Sequence, residues 1–319
     1  MAGITGQGTT YNLPNYVGEL FAISPEDTPF LSAIGGLTGG ERTNAIYFPW
    51  QTYDLRDAAV RARLEGADAP TGTARVRAQV YNICQIVQES VEISYSKLAA
   101  VGNRSGVNVD GVNPVTNELD WQVSQKLKEI ARDLEFSMIN GEVHIPSDNS
   151  TERKMRGLLE AIVTNVSDAS GAALTEKLIL DLLQDVWDAG GINEQGTAAL
   201  MCNSFQKRQL SKIFLKDRNT DPDSRTVGGV NLQTIETDFG RLNIMLNRYM
   251  PTTAVAVVSL EQCAPVFMEV PGKGFLFAEP LAKEGAAERT QIYAEGVSLK
   301  YGNEKAHGKL IDLADSAAS

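Results

Sequence analysis

Apolar residues recur every three or four positions at Leu119, Val123, Leu127, Ile130, Leu134 and Met138. Side chains at that spacing line one stripe of an α-helix, and Lys126, Lys128, Glu129, Arg132, Asp133 and Glu135 fall on its polar side. Asn113-Pro114 offer an N-cap and a first helical residue, while Asn140-Gly141 offer residues that tolerate the left-handed turn closing a helix. The pattern predicts a helix over 113–141, about 40 Å long at ~1.5 Å per residue. It lasts too few heptads for a coiled coil.

Upstream the period shortens. Residues 42–53 are strand-like and aromatic (Ile46, Tyr47, Phe48, Trp50, Tyr53), and over 80–93 Tyr81, Ile83, Val87, Val91 and Ile93 share one parity. Between them, residues 54–77 are rich in Ala, Gly and mixed charge, including Arg56, Arg61, Arg63, Arg75 and Arg77. Strands without an apolar face cannot cover a core of their own. The stretch is therefore expected to leave the body as a projecting hairpin whose charges pair with a neighbour.

From Gly157 the elements alternate. A segment over 158–166 precedes a predicted helix over 175–189 ended by Gly190-Gly191, a strand over 198–202 and a helix over 204–214. Strands over 230–237 and 241–247 follow, turning at Asp238-Phe239-Gly240, and then a buried-looking strand over 253–260. This is a compact α/β unit inserted between the long helix and a β-rich C-terminal part.

The start of the chain is different again. Phe30, Leu31 and Ile34 stand between Pro25, Pro29 and Gly35-Gly36. Each proline removes a backbone donor and pushes its predecessor toward extended structure, so the stretch is not expected to run on as a helix or sit in a central strand. The three apolar residues are expected to be buried by a partner, as assembly contacts.

Composition narrows the chemistry. A chain of 319 residues can hold more than one core, and its net charge of −11 disfavours binding to nucleic acid or an anionic membrane. No apolar run approaches the ~20 residues of a membrane span, and residues 1–10 lack the regions of a secretory signal, so a cytoplasmic setting is expected. Cys84, Cys202 and Cys263 are far apart and unpaired in sequence, and with His144 and His307 they form no metal or nucleophile signature. Other site-like patches fail in detail. Residues 217–223 suggest a calcium loop but carry Pro222 at the turn and Gly228 at the last ligand position. Pro271-Gly272-Lys273-Gly274 lacks the first glycine and the Ser/Thr of a phosphate loop. Asp181, Asp185 and Asp188 share a helix face that solvent explains. Without a secretory signal, the Asn-x-Ser/Thr triplets at Asn103, Asn149 and Asn165 match a glycosylation acceptor by chance. Neither a cofactor nor a metal is expected.

Three local sequences point further: Ser24-Pro25-Glu26-Asp27-Thr28-Pro29-Phe30, then Thr237-Asp238-Phe239-Gly240 with Asn247-Arg248-Tyr249-Met250-Pro251, and Gly302-Asn303-Glu304-Lys305-Ala306-His307-Gly308. In these, and in the order of its elements, the chain resembles the tailed-bacteriophage major capsid proteins. The resemblance implies an α+β capsid fold of the Hong Kong phage and herpesvirus type. Its parts would be an N-terminal arm over 1–40, an extended β-loop over 41–81, a peripheral domain with the long helix over 82–156 and 266–319, and an axial domain over 157–265. It implies pentamers and hexamers of the chain closing an icosahedral shell around double-stranded DNA, in the virion, after assembly in the host bacterial cytoplasm. Scaffold, portal and decoration proteins are the implied partners, with no membrane. An encapsulin-like compartment shell packaging protein is the alternative within the same fold. An enzyme would need converging titratable groups, which the sequence does not offer. Some relatives link a loop lysine to an asparagine of the next subunit; here no lysine precedes Lys97.

Overall fold

The computed structural model describes residues 27–56, 58–100, 118–192, 198–216 and 234–315. In chain order the first half contains α1 (Pro29–Ala33), β1 (Glu41–Thr43), β2 (Tyr47–Tyr53), β3 (Arg77–Ile83), β4 (Gln85–Ile93), α2 (Tyr95–Ala100), α3 (Glu118–Asn140), α4 (Leu158–Ala161) and β5 (Val166–Asp168). The second contains α5 (Glu176–Asp188), β6 (Ala198–Cys202), α6 (Ser204–Lys216), β7 (Thr234–Thr237), β8 (Gly240–Leu246), β9 (Val255–Ser259), β10 (Ala264–Met268), β11 (Leu276–Pro280), β12 (Glu288–Lys300) and β13 (Gly308–Ile311). The calcium-like stretch and the proposed N-cap at Asn113-Pro114 lie outside the described residues.

Two sheets and a ribbon organise these elements. Five strands form one sheet, in the order β1-β10-β12-β11 with β4 also paired to β12. Six form the other, in the order β5-β13-β9-β6-β8-β7. β2 and β3 pair only with each other, in antiparallel register from Tyr47↔Ile83 to Tyr53↔Arg77.

The predicted periodicity explains the packing of α3. Ile130, Leu134 and Met138 have no exposed surface and enter one core with Ile292, Ala294 and Val297 of β12. At the helix end Gly141 and Gly157 meet, the Gly157 amide donating to the Gly141 carbonyl at 2.8 Å. A Cβ on Gly157 would stand 2.5 Å from the Gly141 nitrogen, so only glycine permits this approach. The second core lies under α5 and α6, where Leu182, Leu183, Val186 and Leu210 meet Leu200, Val257 and Leu310.

Three expectations change. Residues 29–33 do form a helical turn, because Pro29 occupies its first position, where no amide donor is needed. Thr43 and its neighbours in β1 pair in parallel with β10, so 41–43 belong to the body sheet and the free ribbon begins at Tyr47. Finally β13, placed by sequence with the peripheral part, pairs with β5 and β9. The C-terminal segment thus completes the six-stranded sheet, with Leu310 fully buried between β5 and β9.

Candidate functional site

Phe30, Leu31 and Ile34 are 0%, 2% and 8% exposed, all within the chain's own core beside Ile130, Leu134 and Met138. The expectation that a partner must cover them is corrected: α3 covers them. Glu135, expected on the polar side of α3, faces the core instead and makes this possible. Glu135 is fully buried, and its carboxylate accepts from the Phe30 amide at 2.8 Å, the Leu31 amide at 2.6 Å and Asn247 Nδ2 at 2.5 Å. Two orphan amides at the start of α1 are thus satisfied by a side chain of another helix. Burial pushes the Glu135 carboxyl above the usual range, while the three donors pull it back. Arg248 adds an exposed ion pair to Asp27 at 3.1 Å.

The β2-β3 ribbon has two unlike faces. Phe48, Trp50 and Asn82 turn inward, and Tyr47, Pro49, Tyr53 and Tyr81 turn outward, Tyr47, Tyr53 and Tyr81 being strongly exposed. The inward face is fastened to the body. Asn82 is buried with all its amide capacity used, donating to the carbonyls of Arg156 and Leu299 and accepting from the amides of Ile83 and Arg156. Trp50 Nε1 donates to the Gly302 carbonyl at 2.7 Å, and its ring meets Tyr301 edge-on. Lys305 pairs with Asp54 at 2.7 Å.

Beyond Tyr53 the loop 54–76 carries no regular structure and is exposed at every described residue. Arg56, Arg61, Arg63 and Arg75 lie along it, with Arg77 at the first position of β3. Arg63 is used locally, donating to the Asp68 carbonyl. What sequence reading missed is apolar: Leu55 is 78% exposed, Val60 97%, Leu64 86% and Val76 87%. Their irregular spacing hid them among alanines and charges, yet in the folded subunit all four large aliphatic side chains stand in water.

Groups that could do chemistry are otherwise engaged. Cys84, Cys202 and Cys263 are buried, and burial pushes their thiols up to about 11, about 12 and about 12. They are therefore protonated, and a protonated thiol is neither a nucleophile nor a metal ligand. The buried His307 receives the Ser259 amide on Nδ1 at 3.1 Å and contacts the Tyr301 carbonyl through Nε2 at 2.7 Å, so the latter nitrogen carries the proton. Burial lowers its pKa and keeps it neutral. Residues 270–274 close a turn, the Val270 amide donating to the Gly274 carbonyl. Among the described residues no group of three His, Cys, Asp or Glu is placed to hold a metal, and no helix is long and apolar enough to cross a membrane.

Comparison with known proteins agrees with this arrangement. A family model described as SU10 major capsid protein matches residues 3–314. The major capsid protein of Escherichia phage Phieco32 is 23% identical, over 96% of this chain and 95% of that one. Among solved structures, the capsid asymmetric unit of cyanophage A-1(L) covers 97% of this chain and 98% of its own at TM-score 0.63 and 10% identity. The holo-SrpI encapsulin complex of Synechococcus elongatus PCC 7942 covers 95% and 93% at TM-score 0.56 and 12% identity.

Proposed function

The chain belongs to the SU10 major capsid protein family, whose members build the shell of a phage virion, and from that premise we propose that its shells are closed by laying the 54–76 loop over a neighbouring subunit. The carrying observation is the set Leu55, Val60, Leu64 and Val76, which no described part of the subunit covers. Covering such a side chain is worth ~1.5–3 kcal/mol, and the contact recurs at every copy. Arg56, Arg61, Arg63, Arg75 and Arg77 add sign and register, each exposed pair being worth only ~0–1 kcal/mol.

In this reading pentamers and hexamers of the chain close an icosahedral shell in the host bacterial cytoplasm, helped by scaffold, portal and decoration proteins. Double-stranded DNA is then enclosed without sequence-specific contacts. A net charge of −11 suits a wall that must not grip a polyanion. The N-terminal part contributes through residues 27–40, which anchor it to its own subunit.

The test is expression of the chain followed by electron microscopy, with and without residues 55–76 replaced by a short Gly/Ser turn. Shells from the full chain, and soluble folded subunits without shells from the shortened one, are expected. A second reading, a compartment shell filled with protein cargo, is supported by the fold-level likeness to the encapsulin. Native particles resistant to nuclease and containing DNA favour the first; particles with a stoichiometric protein cargo favour the second.

A further inference from the structure

The six-stranded sheet carries α5 and α6 on the same face, since Leu182 and Val186 of one and Leu210 of the other enter a common core. α5 packs on β13 and β5, at one end of the sheet. α6 follows β6 on the way to its parallel neighbour β8, toward the other end. The outward charges of the two helices are opposite. α5 presents Asp181, Asp185 and Asp188 with Lys177 as its only cation, and the described side chains of α6 include Lys207, Arg208 and Lys212 with no acid. Asp185, Asp188, Arg208 and Lys212 are all exposed, and among the described residues none of these four forms an ion pair within the subunit. Beside the acids stands Trp187, 53% exposed, its ring 6.3 Å from that of Phe239 in the turn between β7 and β8.

A subunit with one acidic helix face and one basic helix face is complementary to the next copy of itself in a head-to-tail sense. Repetition of a head-to-tail contact closes a ring where its rotation divides a full turn. We infer that the α5 face around Asp185, Trp187 and Asp188 docks against Arg208 and Lys212 on α6 of the adjacent copy within each pentamer or hexamer, an assignment that rests on the shell reading above. Trp187 is the anchor, being the type of large aromatic that dominates interface energetics. The charges set direction and encounter rate, so one interface serves both ring sizes with only a change of angle.

The test uses the full chain with two charge-reversed doubles, Asp185→Lys with Asp188→Lys, and Arg208→Glu with Lys212→Glu. All four positions are exposed, so melting of the dissociated subunits should be unchanged. Each double should lower shell yield at low salt by at least about tenfold, like charges then facing each other. The quadruple variant should recover it. Mixing the two doubles gives a sharper outcome: complementary contacts can alternate around a ring of six but not of five, so hexameric tubes or flat arrays should replace closed shells. Normal shells from either double, or a quadruple variant no better than the doubles, would overturn the contact while leaving the shell reading intact. Failure of the unaltered chain to form any shell would instead remove the premise.

Discussion

The carboxylate of Glu135 caps a helix to which it does not belong, accepting from the Phe30 amide at 2.8 Å across 105 positions of sequence. A segment that looks from its prolines and glycines like a free arm is therefore part of the subunit interior. The same bond makes residues 27–34 and α3 one folding unit.

Glu135→Ala should consequently lower subunit stability by about 3 kcal/mol, because it strands buried donors on Phe30, Leu31 and Asn247. Glu135→Gln should cost less, since one amide oxygen still accepts. Chemical denaturation of assembly-blocked subunits measures both; equal stability of all three proteins would refute the cap.

Phe30→Ala should destabilise the subunit itself by ~3–5 kcal/mol through the cavity left against Leu134 and Met138. Phe30→Asp should give insoluble or unfolded chain, whereas a residue buried only between subunits would give soluble, non-assembling protein. The fraction recovered soluble, with its circular dichroism, separates these outcomes.

On the loop the order of effects is reversed. Changing Leu55, Val60, Leu64 and Val76 to Ser should leave subunit stability within ~0.5 kcal/mol, as expected for exposed sites, yet sharply reduce shell yield. Arg61→Glu with Arg63→Glu should impair assembly only at low salt, because surface charges are screened over ~10 Å at 0.1 M. Light scattering against ionic strength checks the pair.

Acid sensitivity should trace to His307. Its folded-state pKa is lowered by burial, so the unfolded chain takes up a proton first as pH falls. The stabilisation is complete above about pH 6.5, the ordinary value for histidine, and is lost as pH drops from there through the folded-state pKa. Melting temperature should decline over that window in the native chain and less in His307→Gln. Parallel profiles would exclude the histidine as the cause.

Mature particles boiled in detergent should run as a single monomer band, with or without reductant. No lysine precedes Lys97 to act as a loop nucleophile, and arginine stays protonated and cannot attack. The three thiols are buried and protonated. A ladder of larger species would refute this.

Local pattern carried much of the architecture. The stripe from Leu119 to Met138 appears as α3, Thr175 is the N-cap of α5 through its bond from Leu178, and the runs 198–202 and 255–259, apolar except for Ser259, are central strands. Misread features depend on partners distant in sequence. Nothing near Phe30 announces Glu135, and nothing near Leu310 announces β5 and β9. The hidden aliphatics of the loop are a different case: with neither two- nor three-to-four-residue spacing, Leu55, Val60, Leu64 and Val76 leave no trace in a search for periodicity, although their exposure is plain in three dimensions.

The short stretch 301–307 touches both the ribbon and the six-stranded sheet. It holds the ribbon through Trp50 and Asp54, it reaches the six-stranded sheet through His307 and Ser259, and Ala306 lies so close to the end of α5 that a Cβ on Gly191 would come within 2.7 Å of it. The ribbon and the end of α5 are thus tied through one stretch only seven residues long. A substitution within 301–307 therefore disturbs the ribbon and the α5 end together, whereas one in the loop leaves α5 untouched.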